Sequence, residues 1–383
     1  MKKGKKIALI AAGGMVLIGL ALAAAGLASA RFDAFRFNTV TYDTTRYEIT
    51  EAFRHLSVTG GSSDVRLYPS EDGTCQVVCT EAQGVTFDVG VKDDTLYIRR
   101  QGRSAWHLQV GVFLGETGIR VYLPEDTCEA LTIHTSSGNI TVPETFQFAS
   151  AEAESTSGEI TLLSSVKGAQ SVSSQSGNIR VKNTSPESLT VQSTSGEITL
   201  EKVNVGTVLQ LKATSGDVTL TDGKGKTVAV STTSGKIICE TVTADGSMRL
   251  ESTSGDITLE NGNTKAEIQV KSTSGSVTFA DVQGQTIAAS ASSGEITFSK
   301  VIAAGNLRLK STSGDIRLRD SDAETLGIQT SSGDVSGTLL SEKVFRTDTA
   351  SGDVNVPSSA SGGSCEVSTS SGDIDFTIVS ANP

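Results

Sequence analysis

The sequence is short of the residues that carry most active-site chemistry. It has one Trp, five Tyr, three His and three Met in 383 residues. Trp106 and all five tyrosines (Tyr42, Tyr47, Tyr68, Tyr97, Tyr122) lie in the first third, and from residue 135 onward there is no His, Tyr or Trp. Polysaccharide lyases and hydrolases need paired carboxylates or a base with a cation, beside aromatic platforms for sugar. The carboxylates here are spread evenly along the chain, so no enzyme and no catalytic residue is expected. A polysaccharide-active β-helix enzyme is the minor alternative.

Cysteine is also scarce, and five is an odd number for the disulfide framework of an exported protein. Cys239 and Cys365 fall in apolar columns of a repeat described below and read as small core hydrophobes. Cys75 and Cys79 stand four apart in one strand, too distant to bridge each other. If either pairs, Cys128 is the available partner. There is no C-x-x-C and no His nearby, so neither a metal nor a cofactor is expected. Positive charge is in deficit too. With 32 Lys and Arg against 43 Asp and Glu, the net charge is −11, which makes nucleic acid an unfavourable partner.

Long hydrophobic runs are limited to one. Ile7 to Ala30 is 24 residues without a charge, preceded by Lys2, Lys3, Lys5 and Lys6. That length spans a bilayer as a helix, and the lysines place the N-terminus in the cytoplasm. Ile7, Leu17, Leu20 and Ala30 mark the expected anchor of a single-pass cell-membrane protein whose bulk is extracellular. The alternative is secretion after cleavage following Ala30, since Ala28-Ser29-Ala30 fits an A-x-A site. The organisation read from the sequence is a basic tail (1–6), an anchor or signal segment (7–30), an extended connector (31–50), a β-rich capping region (51–130) and a repeat array (131–383). Six short strands are expected in the cap, and Trp106 beside His107 is assigned to capping rather than to a binding surface.

What the chain has in abundance is one motif. Close copies of Ser252 to Leu259, STSGDITL, recur with their glycine at 138, 158, 177, 196, 216, 235, 255, 275, 294, 314, 333, 352 and 372. A fixed period of 19 or 20 residues marks a repeat architecture in which each unit buries its apolar face against its neighbours. Counting that Gly as zero, +2 is always Ile or Val and +4 is mostly Leu, Val or Phe, which makes an inward-facing strand of period two. Positions −7 and −5 make a second, as in Leu307 and Leu309. Position −3 is always Ser, Thr or Ala and −1 always Ser, so the intervening stretch reads as a tight corner, with Gly supplying a positive φ.

Two architectures use such a unit. A meander of hairpins would put about 26 strands in one sheet, far beyond the roughly ten at which open sheets curl or split. Parallel stacking of one copy per rung has no such limit, and it places each residue about 4.8 Å above its own equivalent. The expected fold is therefore all-β, a parallel β-solenoid (β-helix-like) of about 13 rungs and on the order of 60 Å long, right-handed by analogy with the crossover rule.

The SG-[D/E/N]-I/V copies, the Ile119 to Pro124 segment (IRVYLP) and the N-terminal apolar run together resemble the DUF4097 β-strand-repeat family of bacteria, also labelled putative adhesins. The resemblance covers roughly residues 50 to 380. It implies an exported envelope protein with a role in adhesion or envelope-stress signalling, and it supplies no catalytic residues. Lys236 and Ser276 depart from the polar-acidic +1 residue, and Gly337 from the apolar +4.

The +1 column is the sharpest candidate site: Glu159, Glu197, Asp217, Asp256, Glu295, Asp315, Asp334, Asp353 and Asp373, with Asn139 and Asn178. The first reading is exposed turn residues, some bonded to their own backbone. The second is a cation column, Glu197, Asp217, Asp256, Glu295, Asp315, Asp334, Asp353 and Asp373, in which calcium bridges neighbouring carboxylates. Thr columns at −2 (Thr156, Thr194, Thr214) and +3 (Thr161, Thr199, Thr297) offer hydroxyl arrays, although Thr is also an ordinary exposed strand residue. Function is read as a non-enzymatic rod for surface binding or adhesion, its partner a cell-envelope polymer. The alternative is a regulatory envelope sensor acting through a membrane protein partner. A homo-oligomer through the open last rung is the remaining partner expectation.

Overall fold

The computed structural model describes residues 42–82, 84–102, 117–125 and 127–379. The expected anchor, with Ile7, Leu17, Leu20 and Ala30, and the Trp106–His107 pair lie outside these residues. Among the described residues there is no helix long and apolar enough to cross a membrane.

The chain is an all-β parallel solenoid. Strand Ser188–Ser193 lies parallel and in register between Ala169–Ser174 and Val208–Ala213, and Ile198–Asn204 lies likewise between Ile179–Thr184 and Val218–Gly225. Each copy thus contributes one rung. Its first strand runs from −8 to −3, turns at the Ser-Gly corner, and continues as a second strand from +2. Side chains at −7, −5, +2 and +4 alternate inward, and in the middle rungs Leu209, Leu211, Val218 and Leu220 are wholly buried. The +2 column alone supplies twelve buried Ile or Val residues. At roughly 1.5–3 kcal/mol for each fully buried aliphatic side chain, such a column is a principal stabiliser of the stack.

A second corner is not visible in the apolar pattern. Asn183, Lys202, Asp222, Thr241, Asn261, Asp281, Lys300 and Asp320 all have φ between 49° and 55°. These are the +6 positions of eight successive copies. A left-handed residue there breaks the strand and turns position +7 inward, so that Val203, Val242 and Val301 join the core. The rung therefore has three sides.

The two ends are built differently from the middle. Residues 42–123 form seven strands: β1 (Tyr42–Ile49), β2 (His55–Gly61), β3 (Val65–Pro69), β4 (Cys75–Ala82), β5 (Thr86–Lys92), β6 (Thr95–Gln101) and β7 (Gly118–Leu123). β1 occupies part of the expected connector. β2 and β3 are a true rung, parallel to the strands of the Gly138 copy, with Ser63 in the place of the corner glycine. β6 and β7 stack on the outer side of β2 and β3. β5 then covers β6, β4 covers β7 and β1 covers β4, all antiparallel, which ends the stack in a different hydrogen-bonding mode.

At the other end the order of rungs departs from the order of the sequence. Val335–Leu339, in the Gly333 copy, pairs with Ile374–Ile378 rather than with the next copy, and Ile374–Ile378 pairs in turn with Val354–Asn355. Likewise Gly363–Thr369 lies between Ile316–Gln329 and Lys343–Thr349. The last copy is inserted beneath the one before it. Two features permit this. Gly337, where an apolar +4 is usual, leaves the space taken by the Phe376 ring, whose Cε1 would stand 3.1 Å from a Cβ on Gly337. Lys343, only 2% exposed, reaches Asp322 at 2.6 Å across the inserted strand, where Gly363 offers no side chain to block it.

Candidate functional site

The Ser-Gly corner explains its own composition. None of the thirteen glycines has a positive φ, so the expected conformational reason does not hold. The reason is close approach. A Cβ on Gly158 would lie 2.0 Å from the carbonyl oxygen of Gly138, and one on Gly255 1.7 Å from that of Gly235. The corners stack too tightly for any side chain. The −3 hydroxyl, buried, then accepts the glycine N–H, as Ser155 does from Gly158 at 2.8 Å and Ser252 from Gly255 at 2.8 Å.

The +1 column divides by side-chain length. Asp and Asn accept the backbone N–H of the +1 residue one rung along. Asn139 Oδ1 takes that of Glu159 at 2.8 Å, Asn178 that of Glu197 at 2.9 Å, and Asp217 that of Lys236 at 2.8 Å. Asp256 does the same for Ser276, Asp315 for Asp334, Asp334 for Asp373, and Asp373 for Asp353. These residues bond the next rung's backbone, not their own. The three glutamates, one methylene longer, turn instead to the +3 threonine: Thr161, Thr199 and Thr297 donate to Glu159, Glu197 and Glu295 at 3.5, 3.2 and 2.8 Å. The +1 side chains named here, and the +3 threonines of the glutamate rungs, are thereby engaged in hydrogen bonds within or between corners. The column has a structural task whether or not it also meets a cation.

The structure brings the proposed cation column into one line along the solenoid. Glu197 and Asp217 are neighbours, and Asp256 stands alone between Lys236 and Ser276. Glu295, Asp315, Asp334, Asp373 and Asp353 run uninterrupted through the last five rungs, in that spatial order. Arg317 donates to Glu295 and, at 2.9 Å, to Asp315, and its guanidinium holds the Glu295 carboxyl below the ordinary range. Among the described residues no three His, Cys, Asp or Glu side chains converge as a metal-ligand group.

The five cysteines are all free and buried. Burial pushes the thiols of Cys75, Cys79, Cys128, Cys239 and Cys365 up to about 12, which favours the neutral thiol at neutral pH. Cys128 donates to the Ala130 carbonyl at 3.1 Å rather than pairing.

The site that sequence reading missed lies on the outward positions −6 and −4 of the first strands. In register, the −6 residues run Gln269, Ala288, Arg308, Gly327, Glu366, Arg346, and the −4 residues run Lys271, Ser290, Lys310, Gln329, Ser368, Asp348. The short Ala288–Ser290 row lies between two rows of long side chains, and Gly327 leaves a further gap beside Arg308. The result is a trough of about 900 Å³ whose floor is set by Ala288, Ser290 and Gly327. Lys271 and Lys310 face each other across Ser290, two strand spacings or roughly 10 Å apart, with Arg308 beside Lys310. These three cations have no ion-pair or side-chain hydrogen-bond partner among the described residues. Of the carboxylates at the margins, Glu251 is bonded to Arg249 and Glu366 lies 3.4 Å from Arg346, while Asp348, at the far end of the trough, has no ion-pair partner among the described residues. The signal was present in the −6 and −4 columns, but those positions are variable and polar, so an apolar-periodicity reading passes over them.

Such a chain is, by class, a parallel β-solenoid with a corner defined by Ser-Gly-Asp. It belongs to the Toastrack DUF4097 family, whose model matches residues 53–280 and 261–382. Its similarity to solved structures is of low identity. One is a putative adhesin from Bacteroides fragilis NCTC 9343, 12% identical, covering 88% of this chain and 97% of that one with a TM-score of 0.24. Another is a putative adhesin from Parabacteroides merdae ATCC 43184, 15% identical, with 78% and 97% covered and a TM-score of 0.27. A third is a putative lipid binding protein from Parabacteroides distasonis ATCC 8503, 14% identical, with 89% and 98% covered and a TM-score of 0.22. No curated protein matches the chain.

Proposed function

We propose that this protein is a non-enzymatic binding rod of the bacterial cell envelope, held in the membrane by residues 7–30, and that the trough over Ala288 and Ser290 holds an anionic stretch of an envelope polymer. The observation that carries the reading is the placing of Lys271, Arg308 and Lys310, three unmatched cations, along one trough of a chain whose net charge is −11. On an acidic molecule a local cationic strip selects and orients an anionic partner, because the surrounding field repels it elsewhere. A straight trough that follows the solenoid axis suits an extended chain better than a compact ligand. Strand stacking also fixes the spacing of its cations, at about 4.8 Å per rung.

The test compares the native chain with K271S/R308S/K310S for retention on isolated cell-envelope polymer and on heparin, used as a generic polyanion. Native protein is expected to bind in a salt-sensitive manner, and the variant to lose at least tenfold in affinity, about 1.4 kcal/mol. Equal binding by both, or no binding by native protein at low salt, would remove the trough from the reading.

A further inference from the structure

The outermost rung at the C-terminal end is unfinished. Among the described residues, Lys343–Thr349 pairs only with Gly363–Thr369, and Val354–Asn355 only with Ile374–Ile378. One edge of each strand therefore presents unpaired N–H and C=O groups. The core positions of this rung are bare as well. Val354 is 44% exposed, whereas the +2 residue is buried in the twelve other copies, and Phe345 and Val356 are only partly covered. At the opposite end the antiparallel strands β1, β4 and β5 are laid over the last parallel rung. A seven-residue edge above an open core is a template for another strand.

We propose that a second copy of this chain occupies that edge, Lys343–Thr349 pairing antiparallel with the same strand of the partner about a two-fold axis through Thr347. A self-complementary contact of this kind closes at two copies. The register follows from charge. Centred on Arg346 or on Asp348, the pairing sets like charges directly opposite each other. Centred on Phe345, five residues of the strand pair, and Arg346 faces the partner's Val344 with no charge opposite it. Centred on Thr347, five residues again pair, Phe345–Thr349, and every charge among them meets one of opposite sign. Arg346 then faces the partner's Asp348 on the solvent side, Asp348 faces the partner's Arg346, and Phe345 faces the partner's Thr349 on the core side. The interior of one solenoid continues into the other, covering Val354 and Val356. Arg346 makes the contact by exchanging a long, exposed bond to Glu366, at 3.4 Å, for the partner's Asp348.

The experiment is the mass of the full-length chain in mild detergent, by light scattering over a range of concentrations, with circular dichroism as the check on folding. Native protein is expected to be a dimer. R346D and D348R each turn two attractive cross-strand pairs into two repulsive ones and are expected to weaken dimerisation by about tenfold or more. The double variant R346D/D348R exchanges the charges and is expected to restore it. A native monomer at every concentration overturns the proposal, as does a dimer indifferent to both single variants. Should a charge variant unfold, Thr347→Cys gives a second reading, since the native cysteines are buried. It is expected to form a disulfide-linked dimer on mild oxidation, and failure to do so overturns the pairing.

Discussion

At the residue scale, the same corner makes two demands that look alike in sequence and differ in physics. Gly at zero answers a steric demand: the carbonyl of the previous rung stands where a Cβ would be. Position +6 answers a conformational one, and there no glycine is used. Asn and Asp adopt a left-handed φ at small cost, but Thr241, β-branched and at φ 55°, is an outlier. Thr241 is exposed, so replacing it loses no packing. Thr241→Asn, which copies the residue at positions 183 and 261, is expected to stabilise the chain by about 0.5–1 kcal/mol, read as a higher urea midpoint. An unchanged or lower midpoint would mean that the left-handed turn is not strained at this position.

At the scale of the element, a rung is held by its strand ladder and by the link its +1 residue makes to the next rung. The length rule of that link gives a sharp expectation. Asp256→Asn keeps an Oδ1 acceptor for the Ser276 N–H and is expected to be near neutral in stability. Asp256→Ala and Asp256→Glu both withdraw it, the glutamate by turning toward Thr258, and each is expected to cost about 0.5–2 kcal/mol, as an N-terminal cap does. Equal stability of Asn and Glu variants in chemical denaturation would show that the Asp256–Ser276 bond carries no weight. Glu and Asp alternate freely in the column because the aspartate accepts a backbone N–H of the next rung, which any residue there supplies, and the glutamate bonds the threonine of its own rung.

At the scale of the whole molecule, both ends break the sequential order of the stack. The C-terminal end is fixed by two contacts that span rungs, Phe376 in the space left by Gly337 and Lys343 reaching Asp322. An ion pair this buried does not have to be net stabilising, but loss of one partner leaves a charge uncompensated. Lys343→Met alone is therefore expected to destabilise the C-terminal rungs by about 3–5 kcal/mol, and Lys343→Met with Asp322→Leu to recover most of the loss. Hydrogen exchange localised to residues 343–378 measures it. If the single variant exchanges like native protein, the pair does not hold the inserted copy in place.

How much of this was legible follows from the range over which each force acts. The solenoid, its register and its inward columns were readable because a parallel stack repeats one local environment thirteen times, and the sequence repeats with it. The six expected strands of the cap were readable for the same local reason, and each is present. The stacking cause of the corner glycines was not, because it lies in a carbonyl about twenty residues away. The left-handed +6 corner left only a faint preference for Asn and Asp, diluted by Lys202, Thr241 and Lys300. The trough was hidden because it depends on which variable outward residues become neighbours, and that is settled by register across six rungs.

The sequence by itself determined that this chain is a β-solenoid of Ser-Gly corners, since period and alternation are properties of neighbours along the chain. Only the tertiary structure decided which rung is last. Copies in a repeat are near-equivalent in their local preferences, so their order in space is free to differ from their order in sequence. The Gly337–Phe376 fit and the Lys343–Asp322 reach, contacts between residues 39 and 21 positions apart, selected the arrangement in which the final copy sits inside and the copy before it forms the open end.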